Sequence, residues 1–146
     1  MDEAIEAALR RRVSLPSGGH IVIDEAEALT AIDVNTGSYT GKNSLEDTVL
    51  KTNLEAAVEV VRQLRLRDIG GIIVIDFIVM ENKENRERVI ETFETELAKD
   101  PTRTQVVTLS RLGLVEMTRK NVTEGLAGTL GRTCPRCEGR GLIFRE

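Results

Sequence analysis

Apolar positions recur at spacings of three and four over residues 45–68, where Leu50, Leu54, Ala57, Val61 and Leu64 share one face, and this predicts a long helix. Ser44 suits its N-cap with Asp47 three residues on, and Gly70-Gly71 supply residues that accept the left-handed conformation in which helices end. A second periodic stretch, 84–99, aligns Val89, Ile90, Phe93 and Leu97, and Pro101 closes it. Residues 72–79, IIVIDFIV, are apolar on both faces except at Asp76, the pattern of a central strand. Two short apolar runs, 20–24 and 28–35, flank Glu25-Ala26-Glu27 and predict an antiparallel hairpin after a turn at Pro16-Ser17-Gly18-Gly19. Residues 2–12 have helical composition, residues 36–43 form an ordered loop, and 105–109 and 114–118 are further strands. Strand, helix, strand, helix, strand is the order of an α/β fold, here a mixed, largely parallel sheet flanked by helices.

Size and composition narrow the class. The chain has 146 residues, 40% apolar and 30% charged, enough for one globular core with a small appendage. No apolar run reaches the roughly 20 residues needed to span a bilayer. The acidic start, Met1-Asp2-Glu3-Ala4, is unlike a signal peptide, so the expected location is the cytoplasm. The net charge of −4 is unevenly spread: residues 1–100 carry 12 basic and 20 acidic side chains, and residues 101–146 carry 8 and 4. An acidic body with a basic end suits a protein that holds a cation in one place and a polyanion in another, although solubility alone accounts for such a balance equally well.

Two aspartates carry the first candidate chemistry. Asp33 lies near the end of one predicted strand and Asp76 within the next, with a helix between them long enough for a right-handed crossover. Neighbouring strands would bring both carboxylates to the carboxyl edge of the sheet, where open α/β sheets bind ligands. Asn35, two residues beyond Asp33, would face the same side. An ionised Asp76 within IIVIDFIV needs compensation, from an arginine, from backbone donors or from a metal ion. A Mg²⁺ shared with Asp33 would also remove the repulsion between the carboxylates and leave room for a phosphate oxygen.

The second candidate is TCPRCEGRG, residues 133–141, which holds both cysteines, Cys134 and Cys137. Its glycines suit a knuckle that supplies two thiolates, whereas a structural zinc takes four ligands. The one histidine, His20, is distant in sequence. The pair therefore meets its equivalent in a second chain or works as a redox couple. Gly139 and Gly141 disfavour the helix that a redox CxxC normally opens, so a shared zinc is the favoured reading.

Taken together, ALTAIDVNTG, LRLRDIGGIIVIDFIVM, SRLGLVEMTRK and TCPRCEGRG resemble consecutive motifs of the RNase E/G endoribonucleases, over nearly the whole chain from about Ala7. The resemblance implies a deoxyribonuclease-I-like catalytic subdomain at 1–125 and a zinc-link segment at 126–146. It implies Asp33 and Asp76 as Mg²⁺ ligands, with Asn35 orienting them or the scissile phosphate. Cys134 and Cys137 would form half of a Zn²⁺ site shared in a homodimer, and the sequence leaves open whether dimers pair in the full-length protein. The implied activity is hydrolytic cleavage of single-stranded, A/U-rich RNA to 5′-monophosphate and 3′-hydroxyl ends. Arg103 falls where the family places a basic residue near RNA, and Arg111, Arg119 and Lys120 are further phosphate-contact candidates. Two features depart from the family pattern. Val79 stands where members commonly have a second aspartate, which is expected to lower metal affinity. The oligonucleotide-binding barrel, 5′-phosphate sensor and ribonuclease-H-like region that precede these motifs in the family lie outside this sequence, so the chain is expected to be a fragment, weakly active or acting as a zinc-linked scaffold.

Overall fold

In the computed structural model the described residues are 3–37, 45–102, 104–109, 113–120 and 125–145. A short helix, α1 (Glu3–Leu9), leads into β1 (Arg12–Ser14), β2 (His20–Glu25) and β3 (Thr30–Asn35). The long helix α2 (Leu45–Leu66) crosses to β4 (Gly71–Asp76), and α3 (Lys83–Leu97) connects to the β5 (Thr104–Leu109) and β6 (Leu114–Arg119) hairpin. A last short helix, α4 (Gly125–Leu130), precedes the cysteines.

The six strands form one sheet in the order β1-β2-β3-β4-β6-β5. The expectation of a largely parallel sheet is corrected: only β3 and β4 pair in parallel, and the other described pairings are antiparallel. The cause is topological. Strand β6 turns back from β5 and inserts between β5 and β4, so the strand that α3 delivers does not touch β4. The predicted hairpin is present as β2 and β3, and β1 extends it where a helix through residue 12 was expected.

Helices α2 and α3 cover one face of this sheet. Ile21, Ile23, Ile32, Val34, Ile73, Ile75, Val115 and Met117 point into that layer and meet Val49, Ala56, Ala57, Val60, Val61 and Leu64 of α2. Leu50 and Leu54 flank the buried stripe instead of centring it. From α3, Val89, Phe93 and Leu97 complete the core, with Phe93 edge-on to Phe77 at a centroid distance of 6.1 Å. Helix α2 ends through Asp68, whose φ of 49° lets Ile69 N–H reach back to the Leu64 carbonyl, so the left-handed residue precedes the expected glycines. The expected cap at Ser44 and most of the expected loop 36–43 lie outside the described residues.

Among the described residues no helix covers the other sheet face. On β4 this leaves Ile72 52% exposed, with Val74 half-buried and Asp76 exposed, although Ile73 and Ile75 directly behind them are fully buried. The strand is apolar on both faces, yet only one face is covered.

Candidate functional site

The β3–β4 pairing sets Asp33 directly beside Asp76 as register partners, at the carboxyl end of both strands. Adjacent strands lie about 4.8 Å apart, so two carboxylates on one face at this register are close neighbours. Both belong to the open face, and both are exposed. The sequence-based picture of Asp76 as a buried carboxylate is thereby corrected: alternation turns its side chain away from the core. Partial desolvation at the sheet surface and then the charge of Asp33 hold the Asp76 carboxyl above the usual aspartate range. Among the described residues no arginine or lysine forms an ion pair with either carboxylate. Of the three compensations open to Asp76, an arginine partner is thus not the one used by the described residues.

Asn35 follows on the same face, two residues beyond Asp33, and is the register partner of His20 on β2. The open face therefore carries two adjoining rows. One runs Arg12, Val22, Asp33, Asp76 and Leu114, and the next runs Ser14, His20 and Asn35. His20 is a site neighbour that sequence distance concealed. Counting back along the hairpin from Asn35 would have found it, given the correct register.

The backbone around these rows is held by specific contacts. Asn53, fully buried on α2, donates from Nδ2 to the Ile78 carbonyl (2.9 Å) and accepts the Ile78 N–H at Oδ1 (3.1 Å), which ties α2 to the segment leaving Asp76. Phe77 N–H donates to the Gly113 carbonyl at 3.0 Å. A β-carbon at Gly113 would lie 2.4 Å from the Phe77 carbonyl oxygen, and its φ of 86° favours glycine as well. On the β2 side, a β-carbon at Gly19 would meet the Asn35 carbonyl oxygen at 2.6 Å, so the turn before His20 packs directly on the end of β3. Asn53 was not singled out in the sequence, where an asparagine inside a helical pattern reads as a solvated position.

Of the basic candidates, Arg103 and Arg111 lie outside the described residues and Lys120 is exposed. Arg119 is corrected from a surface contact to a buried structural cation. Its guanidinium donates to both Asp100 carboxylate oxygens (2.8 and 3.3 Å), to Asp68 (3.1 Å), to the Ile69 carbonyl and to Thr102. Burial alone would raise the Asp100 carboxyl, but the Arg119 hydrogen bonds, the Thr102 N–H and the charges of Arg119 and Arg65 outweigh it and hold the group below its ordinary value.

The cysteines lie beyond α4 at the surface, Cys134 exposed and Cys137 half-buried. Glu138 N–H bonds the Cys134 carbonyl and Arg140 N–H the Cys137 carbonyl, which folds the segment into tight turns with Glu138 and Gly139 at positive φ. The Gly141 N–H, the Cys134 thiol and the Gly139 and Arg140 N–H groups lower the Cys137 thiol below its usual value. Such a loop fits two ligands of a tetrahedral thiolate site. Among the described residues no group of three or more His, Cys, Asp or Glu side chains is gathered for a metal. The aspartate pair fits an ion that keeps most of its waters, and the cysteine pair fits half of a shared site.

The model of the Ribonuclease E/G family matches residues 1–122. Ribonuclease G of Escherichia coli K12 is 48% identical over 143 residues, covering 98% of this chain and 29% of that protein. Ribonuclease G of Haemophilus influenzae is 46% identical over 143 residues, with the same coverage. Ribonuclease E of a Nostoc species is 50% identical over 145 residues, covering 99% of this chain and 21% of the relative. The chain thus spans less than a third of the length of these relatives. With the family model matched over most of its length and relatives identical at about half of its positions, the chain belongs to the Ribonuclease E/G family.

Proposed function

We propose that this chain is the hydrolytic core of an endoribonuclease that cuts single-stranded, A/U-rich RNA and leaves 5′-monophosphate and 3′-hydroxyl ends. The observation that carries the reading is the register pairing of Asp33 with Asp76 on an open sheet face, free of any described basic partner. In this reading Asp33 and Asp76 hold a Mg²⁺ ion, and their repulsion in its absence favours binding. When bound, that ion supplies a Lewis acid for a phosphate oxygen and a water of lowered pKa as nucleophile. Asn35 orients the scissile phosphate through its amide, on the row next to the carboxylates. Exposed Lys120, with Arg103 and Arg111, adds phosphate contacts that strengthen binding without reading sequence.

The cysteine knuckle serves assembly in this reading. Cys134 and Cys137 join the same pair of a second copy around one zinc ion, and the lowered Cys137 thiol favours the thiolate that such a site requires. No helix among the described residues is long and apolar enough to cross a membrane, and the proposed location is the cytoplasm.

The chemistry of the cut ends tests the hydrolytic reading. Attack by water leaves a 3′-hydroxyl, whereas attack by the neighbouring 2′-hydroxyl leaves a 2′,3′-cyclic phosphate. The labelled upstream fragment of a 5′-labelled RNA, which carries the newly formed 3′ end, should accept direct extension by a polymerase. A cyclic phosphate terminus would assign the reaction to a different mechanism and remove the need for the aspartate pair.

A further inference from the structure

The first two strands carry an arrangement that the proposed hydrolysis does not use. His20 is the register partner of Asn35 on one side and of Ser14 on the other, and Arg12 is the partner of Val22, whose other partner is Asp33. Ser14, His20 and Arg12 therefore share the open face with the two aspartates. Arg12 is two strands from Asp33, about 10 Å away at the usual strand spacing. His20 is one strand from Asn35, with its side chain half-exposed and outside the core.

Charge on this edge is sorted. Asp24, the nearest carboxylate on β2, is engaged by Arg11 through a bidentate pair with contacts of 2.5 and 3.1 Å. Glu55 accepts from Ser17 N–H and Oγ on the turn below. Beyond their strand pairing, the side chains of Arg12 and His20 have no hydrogen-bond or ion-pair partner among the described residues. Among the described residues the Arg12 and His20 side chains are thus uncommitted donors on a face whose other end is acidic. The turn that feeds β2 is rigid, closed by Leu15 N–H to the Gly19 carbonyl (2.8 Å) and Gly18 N–H to the Leu15 carbonyl (3.1 Å). Gly19 and Gly37 have no room for a β-carbon against Asn35 and Gly18, so the strand ends bearing His20 and Asn35 are locked together.

We propose that Arg12 and His20 form a subsite on the β1–β2 edge that binds the RNA sugar–phosphate backbone next to the scissile phosphate. This deepens the hydrolytic reading and rests on it. His20 with Asn35 gives two donors, imidazole N–H and amide N–H, for a non-bridging oxygen of a phosphate at the aspartate row. Arg12 then takes the adjoining phosphate, where a guanidinium fork suits two oxygens. The edge fixes the direction in which the strand crosses the sheet, and the backbone contacts leave base identity unread.

The test measures binding of a short fluorescent A/U-rich RNA to the chain in an Asp33→Asn background, where cutting is suppressed. Steady-state cleavage is followed in parallel with Asp33 intact. The expected result is a loss of affinity on the order of tenfold for His20→Ala, from one hydrogen bond to a charged group, with part restored by His20→Gln. Arg12→Ala should lower the slope of log affinity against log salt by about 0.7, one phosphate of a single strand. In cleavage both variants should raise KM more than they lower kcat. Circular dichroism checks that the fold is unchanged, as expected for side chains outside the core. Affinity and KM within twofold of the parent for both His20→Ala and Arg12→Ala would overturn the subsite, as would absence of RNA binding by the parent. The two readings separate: RNA that binds through Arg12 and His20 but is never cut keeps the subsite and removes the hydrolytic centre. Asp33-dependent cutting indifferent to both variants does the reverse.

Discussion

Replacing Asp76 by asparagine removes one of two carboxylates that share a row of the open sheet face with no described cation between them. Without a divalent ion, this charge is a liability to the fold. Two charges about 5 Å apart repel by about 1 kcal/mol where solvent screens them, and the exposure of both groups selects this lower end of the range. The raised Asp76 carboxyl gives the sign. Its folded pKa lies above the unfolded one, so its contribution is most favourable at low pH and is lost as pH rises through the folded value. At neutral pH and in chelator, Asp76→Asn should therefore be the more stable protein by about 1 kcal/mol. Mg²⁺ should reverse the order. An ion that binds only the folded state adds about 2.7 kcal/mol at a hundredfold excess over Kd, and the variant forfeits most of that. Urea unfolding of both proteins, with chelator and across a Mg²⁺ series, reads the two effects in one experiment. Equal stabilisation of parent and variant by Mg²⁺ would refute the assignment of the ion to this pair, whatever the result in chelator.

Four further variants probe other parts of the molecule. Arg119→Ala strands the buried Asp100 carboxylate and should cost about 3–5 kcal/mol in urea unfolding; because the folded Asp100 pKa is depressed, Asp100→Asn should flatten the loss of stability as pH falls below about 5. Asn53→Ala leaves the Ile78 N–H and carbonyl without their partner, so a destabilisation of roughly 1–3 kcal/mol should accompany weaker Mg²⁺ binding measured by calorimetry. Cys134→Ser should reduce bound zinc, measured by metal analysis, and convert a dimer of one zinc per two chains to monomer in sedimentation; an unchanged zinc-bound monomer would show that the knuckle is no shared site.

Much of this site was legible before any coordinates. Asp33, Asp76 and the crossover helix between them predicted adjacent carboxylates at one sheet edge, and the β3–β4 register delivers them. The glycines after the cysteines predicted a tight turn, and the Glu138 and Arg140 N–H bonds to the Cys134 and Cys137 carbonyls form tight turns there. Other features depend on information that a local pattern does not hold. The orientation of β6 is set by which edge the β5–β6 hairpin folds onto, and periodicity is blind to that choice. IIVIDFIV announces two apolar faces but not which of them a helix will cover, so Asp76 read as buried and is exposed. Arg119 looks like any surface cation until Asp100 and Asp68, distant in sequence, are brought around it by the ends of α3 and α2. His20 joins the site only once the β2–β3 register is known to the residue.

Cleavage of a short, end-labelled, A/U-rich single-stranded RNA, with and without Mg²⁺ and with Asp33→Asn as the control, tests the central claim most directly. Cutting should require Mg²⁺ and disappear in Asp33→Asn while the fold is retained. Cutting that persists at the same rate in Asp33→Asn, or in the presence of chelator, would contradict that claim.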